Sequence, residues 1–310
     1  MTDGRPSVSA VMVSYRTGPV LFDAVTACLN APDIAELIVV SHDNPPEDAA
    51  RLDALSASEA TLTVIHTGAN LGFSKGCNIG ARVARGSHLL FLNPDTVIPH
   101  GAAARLAETG ADLPEPWITG ARILNLDGSE QRGARRGELT LLSAMAGFSG
   151  LSRVLPVRDI HREHEPVPEG PEPVPAVSGA GMMMSRAGFD ALGGFDERYF
   201  LHVEDLDICR RARDAGGQVV FEPRAELFHH GSTSKVSLFR VEWAKARGLM
   251  RYFLTHARGA GRVAAGILSP LIVLAVMARA GVLTVLGKLG VFERRSRKAS
   301  REAARASGAE

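Results

Sequence analysis

The chain is poor in cysteine, with three among 310 residues, at positions 28, 77 and 209. No two of them form a C-x-x-C pair, which excludes a zinc ribbon or a disulfide framework and fits a reducing compartment. It also lacks excess charge. The formal net charge is +1, so no overall field draws in nucleic acid, and none is expected as a partner. The N-terminal stretch MTDGRPS is polar, carries an acid and has no apolar run, so no signal peptide is expected. No G-x-G-x-x-G follows the first apolar segment and no G-x-x-x-x-G-K-[ST] occurs, which argues against dinucleotide and P-loop binding.

What is present is an alternation. SVSAVMVSY (7–15), AELIVVS (35–41), ATLTVIHT (60–67) and HLLFLN (88–93) read as apolar strands, while VLFDAVTACLN (20–30) and GFSKGCNIGARVAR (72–85) read as helices, the second opened by glycine. This order predicts an α/β fold with a doubly wound, mostly parallel sheet. Ligands of such sheets sit outside the carboxyl ends of the strands. Three of the four strand ends carry polar groups: Ser14-Tyr15-Arg16, His42-Asp43-Asn44 and Asn93-Pro94-Asp95. Together they point to a nucleotide-type ligand, although Asp95 alone could equally cap the helix that HGAAARLAETG suggests. Further on, AGMMMS reads as a strand, GFDERYF as a turn, VEDLDICRRARDAG as a helix, and QVVFEP and AELFHHG as closing strands. HREHEPVPEGPEPVPA (161–176) reads as an irregular connection or mobile loop.

Three groups of residues suggest chemistry. Glu204, Asp205 and Asp207 crowd one helix start. The helix dipole favours each acid there by roughly 0.3–1 kcal/mol, but three also repel one another, and crowding raises one carboxyl toward the range of a general base. His229 and His230, with a carboxylate such as Asp95, suit a divalent ion of the Mn or Mg type. Arg132, Arg135 and Arg136 lie on a glycine-rich loop that is either a solvated basic loop or a diphosphate clamp. At the end of the chain, VAAGILSPLIVLAVMA (263–278) falls short of the ~20 residues of a spanning helix, and Pro270 and Arg279 interrupt it. With the basic tail KLGVFERRSRKASREAARA it suggests a helix lying on an anionic membrane face. A buried core helix with a solvated tail, or a homodimer interface, fits the same pattern.

Taken in order, VMVSYRTGPVLFDAVTACL, ANLGFSKGCNIGARVARGSHLLFLNPDT, SGAGMMMSRAGFDALGGFDERYFLHVEDLDICRRARDAGG and HHGSTS resemble family 2 inverting glycosyltransferases with the GT-A fold, over roughly residues 7–240. The resemblance is nearest to the rhamnosyltransferase branch, which includes enzymes that build the cell-wall linkage unit on a polyprenyl-diphosphate carrier. It implies a GT-A domain over 1–240, with a nucleotide-binding half (1–125), an acceptor and catalytic half (126–240) containing a flexible proline-rich stretch (155–176), and a helical extension over 241–310. It implies that Ser14, Tyr15, Arg16, Asp43, Asn70, Gly72 and Asn78 line the nucleotide site, with Gly72 letting the backbone approach closely, and that Arg135 and Arg136 serve the donor diphosphate. Gly179, Ala180 and Gly181 would wall the donor sugar and acceptor. Asp205 would be the catalytic base, with Glu204 the alternate. Asn93-Pro94-Asp95 stands where the family has D-x-D, so Asp95 would hold Mn²⁺ or Mg²⁺ together with His229, or alternatively His230. Two departures stand out: Asn93 replaces the first acid, and SHDNPP replaces the usual D-N-x-S turn. The branch implies dTDP-L-rhamnose as donor, polyprenyl-diphosphate-linked N-acetylglucosamine as acceptor, and a peripheral location on the cytoplasmic face of the membrane. No Q-x-x-R-W motif of a processive synthase occurs.

Overall fold

The computed structural model describes residues 7–144, 160–231 and 237–288. The basic tail from 289 onward, residues 155–159 of the proline-rich stretch and the Ser232–Ser234 end of HHGSTS lie outside the described residues. Strands β1 (Val8–Ser14), β2 (Glu36–Ser41), β3 (Leu62–His66) and β4 (His88–Leu92) pair in parallel in the order β3-β2-β1-β4. Their side chains alternate between two cores. In β1, Val11 and Val13 enter one, and Ala10 and Met12 enter the other. Both faces are covered by helices, which is why β1 is buried along its whole length and mostly apolar instead of alternating. The strand order reverses at β1, where β2 lies on one side and β4 on the other, and a ligand crevice belongs there.

The remaining strands are β5 (Thr96–Val97), β6 (Ile118–Leu124), β7 (Arg135–Arg136), β8 (Glu172–Pro173), β9 (Ala176–Val177), β10 (Gly181–Ser185) and β11 (Val219–His229). The main sheet runs β3-β2-β1-β4-β10-β6-β11-β5, with β8 also on β11, and β7 pairs with β9 in a small second sheet. The sheet is mixed. β10 enters from the ligand edge and so runs antiparallel to β4 and β6, while β11 is parallel to β6. The ends of β1, β2, β4 and β11 and the start of β10 therefore share one edge. The two expected closing strands are one strand, β11, with a register shift between Glu222 and Glu226. Pro223 lies in that gap, as expected of a residue that cannot donate to the ladder. The described part of the proline-rich stretch is irregular apart from β8 and the start of β9, and it is held in place. Arg135 donates to the Glu165 and Pro166 carbonyls at 2.8 and 3.2 Å, and Arg162 pairs with Glu165 and Glu172 at 2.7 and 2.9 Å.

The described residues end in two helices, Leu238–His256 and Ala260–Lys288, which pack on each other. The second continues through Pro270 as one 29-residue helix, so the expected interruption does not occur. Proline costs a single backbone hydrogen bond there, and the flanking turns carry on. Its segment Gly261–Val282 is long and apolar enough, by length and composition, to cross a membrane. It has two stripes: Ala265, Ser269, Ile272, Val276 and Ala280 are buried, and Val263, Ile267, Leu271, Leu274 and Val282 are exposed.

Candidate active site

At the sheet edge, Asn44 ties the first two strand ends together. Its amide donates to the Ser14 hydroxyl at 3.0 Å and to Ser41 at 2.9 Å, and its oxygen accepts the Arg16 N–H at 2.6 Å. Arg16 pairs with Asp43 at 2.7 Å, both exposed and both with positive φ, and the Arg16 guanidinium lies 5.4 Å from the centre of the Tyr15 ring. Ser14, Tyr15, Arg16 and Asp43 thus form one linked cluster at the crevice. His42 is buried instead, bonded to Thr67 at 2.6 Å and to the Gly72 carbonyl at 3.2 Å.

The next three expected nucleotide contacts serve the fold. Asn70 accepts the Gly72 N–H at 3.0 Å. Gly72 has φ +87°, and a Cβ there would stand 2.5 Å from the Phe200 carbonyl oxygen, so the close backbone approach it permits is that of Phe200. Asn78 is occupied on both sides by the Phe195 main chain, donating to its carbonyl at 2.9 Å and accepting its N–H at 2.9 Å.

Asn93, Asp95 and His229 come together, because β4 and β11 end on the same edge. His229 Nδ1 contacts Gln131 Oε1 at 2.6 Å, and the other end of that amide donates to Asn125 at 3.2 Å. With Gln131 Oε1 accepting from Nδ1–H, the tautomer of His229 that results turns the Nε2 lone pair toward the site. That nitrogen lies 2.9 Å from Asp95 Oδ1 and 3.2 Å from the Asn93 amide. In that tautomer two acceptors face each other, an arrangement that suits a cation bound by both. Ligands at about 2.0–2.1 Å in adjacent octahedral positions lie about 3 Å apart, so the pair fits a divalent ion. Among the described residues no third His, Cys, Asp or Glu joins it. His230 meets Asp95 through its backbone N–H, which donates to the Asp95 carbonyl at 3.0 Å.

The acids at 204–207 separate. Asp207 points into the core, bonded to Arg211 and His256, each at 2.8 Å. Asp205 faces the site and pairs with Arg136, while accepting the Gly179 N–H at 3.3 Å and the Leu206 N–H at 2.8 Å. Burial alone would raise the Asp205 carboxyl, but Arg136 and the two backbone donors outweigh it and hold the carboxyl below the usual carboxylate range. Glu204 moves the other way, pushed up by burial and by the Asp205 charge. The expected crowding effect therefore falls on Glu204, whose Oε2 is buried without a hydrogen-bond partner. Just before them, His202 and Val203 have φ of 66° and 75°. A β-branched residue in this region is an outlier costing about 1–3 kcal/mol. The corner is pressed from outside by helix Leu238–His256, where a Cβ on Gly248 would meet the Val203 side chain at 3.1 Å.

The two arginines expected at the donor diphosphate are engaged elsewhere. Arg135 is buried, paired with Glu130 at 2.8 Å and stacked over Phe221, and Arg136 holds Asp205. Of the expected glycine wall, Gly179 and Ala180 line the site, joined by Ser178. Gly181 is inside the sheet, where a Cβ would press on Leu227 at 2.9 Å. A cavity of about 1100 Å³ connects Asn93 and His229 with Arg136, Gly179, Glu204 and Asp205. Its outer wall comes from residues not anticipated from sequence, notably Glu242, Lys245 and Arg279 of the C-terminal helices.

Comparison with known proteins bears on the family and the fold. Residues 9–193 match the family model for Glycosyl transferase family 2. The chain is 29% identical over 246 residues to N-acetylglucosaminyl-diphospho-decaprenol L-rhamnosyltransferase of Mycobacterium tuberculosis, covering 76% of this chain and 78% of that protein. In fold it is similar to GalNAc-T7 solved with UDP, GalNAc and Mn²⁺ (TM-score 0.57, 18% identity, 73% of this chain and 43% of that one). It is also similar to a mannosyltransferase from Pyrobaculum calidifontis solved with GDP-Man and Mn²⁺ (TM-score 0.56, 14% identity, 96% of this chain and 84% of that one).

Proposed function

Since the chain belongs to glycosyltransferase family 2, we propose that it transfers L-rhamnose from dTDP-β-L-rhamnose, with inversion, to a hydroxyl of polyprenyl-diphosphate-linked N-acetylglucosamine. One observation carries the chemistry: Asp205, whose carboxyl is held below the usual range by Arg136, and His229, which contacts Asp95 at 2.9 Å, line the same cavity. Asp205 takes the proton of the acceptor hydroxyl as that oxygen attacks the anomeric carbon from the face opposite the leaving group. Gly179, without a side chain, leaves room beside the carboxylate, and its N–H holds Oδ2 in place. Asp95 and His229 are the residues that would hold Mn²⁺ or Mg²⁺, whose contribution when bound is to neutralise the charge of the departing diphosphate. The choice of rhamnose and of the acceptor rests on the mycobacterial relative, and that of dTDP on the rhamnosyltransferase branch the sequence resembles.

The test offers dTDP-rhamnose, UDP-galactose and UDP-N-acetylglucosamine separately, with Mn²⁺ and a synthetic polyprenyl-diphosphate-linked N-acetylglucosamine, and reads the product by mass spectrometry. A deoxyhexose added from dTDP-rhamnose alone is the expected result. A hexose or N-acetylhexosamine from a UDP-sugar overturns the donor, and nucleotide binding without transfer to this acceptor overturns the acceptor.

The proposed location is peripheral, on the cytoplasmic face of the membrane. The C-terminal helix is apolar on its exposed stripe, but its buried stripe packs on a helix carrying Arg240, Glu242, Lys245, Arg247 and Arg251. A helix with that charge load is costly in hydrocarbon, which favours the pair lying in the interface with one side immersed. Exposed Phe239 and Trp243 suit that depth. Each immersed aliphatic side chain is worth about 1.5–3 kcal/mol. The triple change Ile267→Asp, Leu271→Asp, Leu274→Asp should therefore abolish flotation with anionic vesicles. Undiminished flotation contradicts the location, and a dimer-to-monomer change with flotation retained makes the stripe a homodimer contact.

A further inference from the structure

Helix Leu238–His256 belongs to the C-terminal extension, yet it touches the segment that carries the base. Its last residue, His256, reaches helix Glu204–Asp214, where Nε2 lies 2.8 Å from Oδ1 of Asp207, two positions beyond Asp205. The contact is buried, with the His256 side chain 9% and the Asp207 side chain 1% exposed, and the Tyr252 ring lies against the imidazole at 4.7 Å between centroids. Arg211 Nε and the Tyr199 hydroxyl donate to the same carboxylate, at 2.8 and 3.3 Å. The Arg211 guanidinium also donates to the Leu192 and Gly194 carbonyls at 2.8 and 2.9 Å. Asp207 thus ties the catalytic helix both to the turn that follows β10 and to the C-terminal extension, while taking no part in the chemistry itself.

The corner in front of the base is held as well. The positive φ of His202 and Val203 is a conformation that persists only where the surroundings over-determine it. On one side the Phe200 carbonyl accepts the Phe73 N–H at 2.8 Å. On the other stands Gly248 of helix Leu238–His256, where a Cβ would come within 3.1 Å of the His202 carbonyl oxygen. Leu249 of the same helix shares a buried cluster with Val203 and Leu206. The C-terminal helix therefore meets the catalytic segment before Asp205, at the corner, and after it, at Asp207. Fixing both sides matters, because a displacement of about 1 Å imposed from outside the reacting centre can cost about 10²-fold in rate.

We propose that His256 is a positioning residue: through Asp207 it holds helix Glu204–Asp214 in the orientation in which Asp205 meets the acceptor hydroxyl, which makes the C-terminal extension part of the catalytic apparatus. The role rests on the reading of Asp205 as base. In the full-length protein, His256→Ala should lower kcat about 10- to 100-fold, with dTDP affinity and flotation on anionic vesicles unchanged, since neither the strand-end cluster nor the exposed stripe includes His256. His256→Gln, whose amide N–H can donate to the same carboxylate, should keep most of the activity. The acid limb of kcat/KM is a readout that general destabilisation would not move. Asp205 is faced by Arg136 of β7, by His202 of the corner and by Glu204 and Cys209 of its own helix. Burial raises its carboxyl, and Arg136 with the two N–H donors brings it below the usual range, so a displaced helix loosens that pairing and the limb moves to higher pH in His256→Ala, not in His256→Gln. Gly248→Ala reaches the corner without touching Asp207 and should lower kcat in the same way; it carries the test if His256→Ala does not fold. Hydrogen exchange over residues 202–209, read without any donor, should quicken in His256→Ala and keep its wild-type rate in His256→Gln. Wild-type kcat, an unmoved acid limb or unaltered exchange in His256→Ala overturns the role, as does an equal loss in His256→Gln. Near-normal turnover by Asp205→Asn beside a lowered kcat in His256→Ala overturns the base and leaves the helix its part in catalysis. An inactive Asp205→Asn beside an unaltered His256→Ala does the reverse.

Discussion

Asp205→Asn lowers transfer by about 10²–10⁴-fold and leaves nucleotide binding intact. The amide keeps the volume of the carboxyl and can still face Arg136 and the Gly179 N–H, but it cannot take a proton. The adjacent Glu204→Gln should cost far less. Its carboxyl is raised by burial and by the charge on Asp205, so near neutrality it spends more of its time protonated and unavailable as a base. The two variants differ by one position, which separates chemistry from packing. The pH profile adds a second test. Arg136 favours the ionised form of Asp205, so the acid limb of kcat/KM should lie low. Arg136→Met removes that preference, and burial together with Glu204 then pushes the carboxyl up, so the limb should move to higher pH. Near-normal turnover by Asp205→Asn would end the assignment. A larger loss in Glu204→Gln, with the acid limb moved, would make Glu204 the base.

The first half of the fold was legible because its physics is local. Strands covered on both faces read as mostly apolar runs, as Val8–Ser14, Glu36–Ser41 and His88–Leu92 do, while Leu62–His66, at the sheet edge, is only partly buried. Helix Pro46–Ser58 escaped notice because Leu52 is its one buried residue, so no apolar stripe marks it. Pro46 at its first turn was the available signal. At the site, Asp95 and His229 could be joined in advance by the chemistry of a divalent ion and by the family resemblance, and the structure brings them together because β4 and β11 end on one edge. Arg135 and Arg136 could not be told apart. They form β7, and successive strand residues point to opposite faces, so one enters the core beside Glu130 and the other meets Asp205. Which goes where depends on pairing with β9, some forty residues on. Lys245 and Arg279 were invisible for a related reason: only the folding back of the C-terminal helices brings them to a cavity whose other walls lie far upstream.

Asp95→Ala and His229→Ala should each remove the Mn²⁺-dependent part of donor binding, with metal-free dTDP affinity unchanged. Gln131→Leu should weaken the same part about 10- to 100-fold, the usual effect of losing the partner that orients a ligating imidazole. It keeps both ligands but frees the His229 ring to take the other tautomer. These losses follow from how little the protein supplies. With Asn93 in place of an acid, one carboxylate and one imidazole converge, and a hard divalent ion needs about six ligands, mostly oxygens. The diphosphate must complete the shell. Mn²⁺ should then bind the protein weakly alone and tightly beside dTDP, and each must strengthen the other by the same factor, because coupling between two binding equilibria is reciprocal. Calorimetric titrations of Mn²⁺ with and without dTDP, and of dTDP with and without Mn²⁺, measure both factors. Donor affinity indifferent to Mn²⁺ and Mg²⁺ in the unaltered protein would remove the metal from Asp95 and His229. It would leave their 2.9 Å contact as an ordinary hydrogen bond.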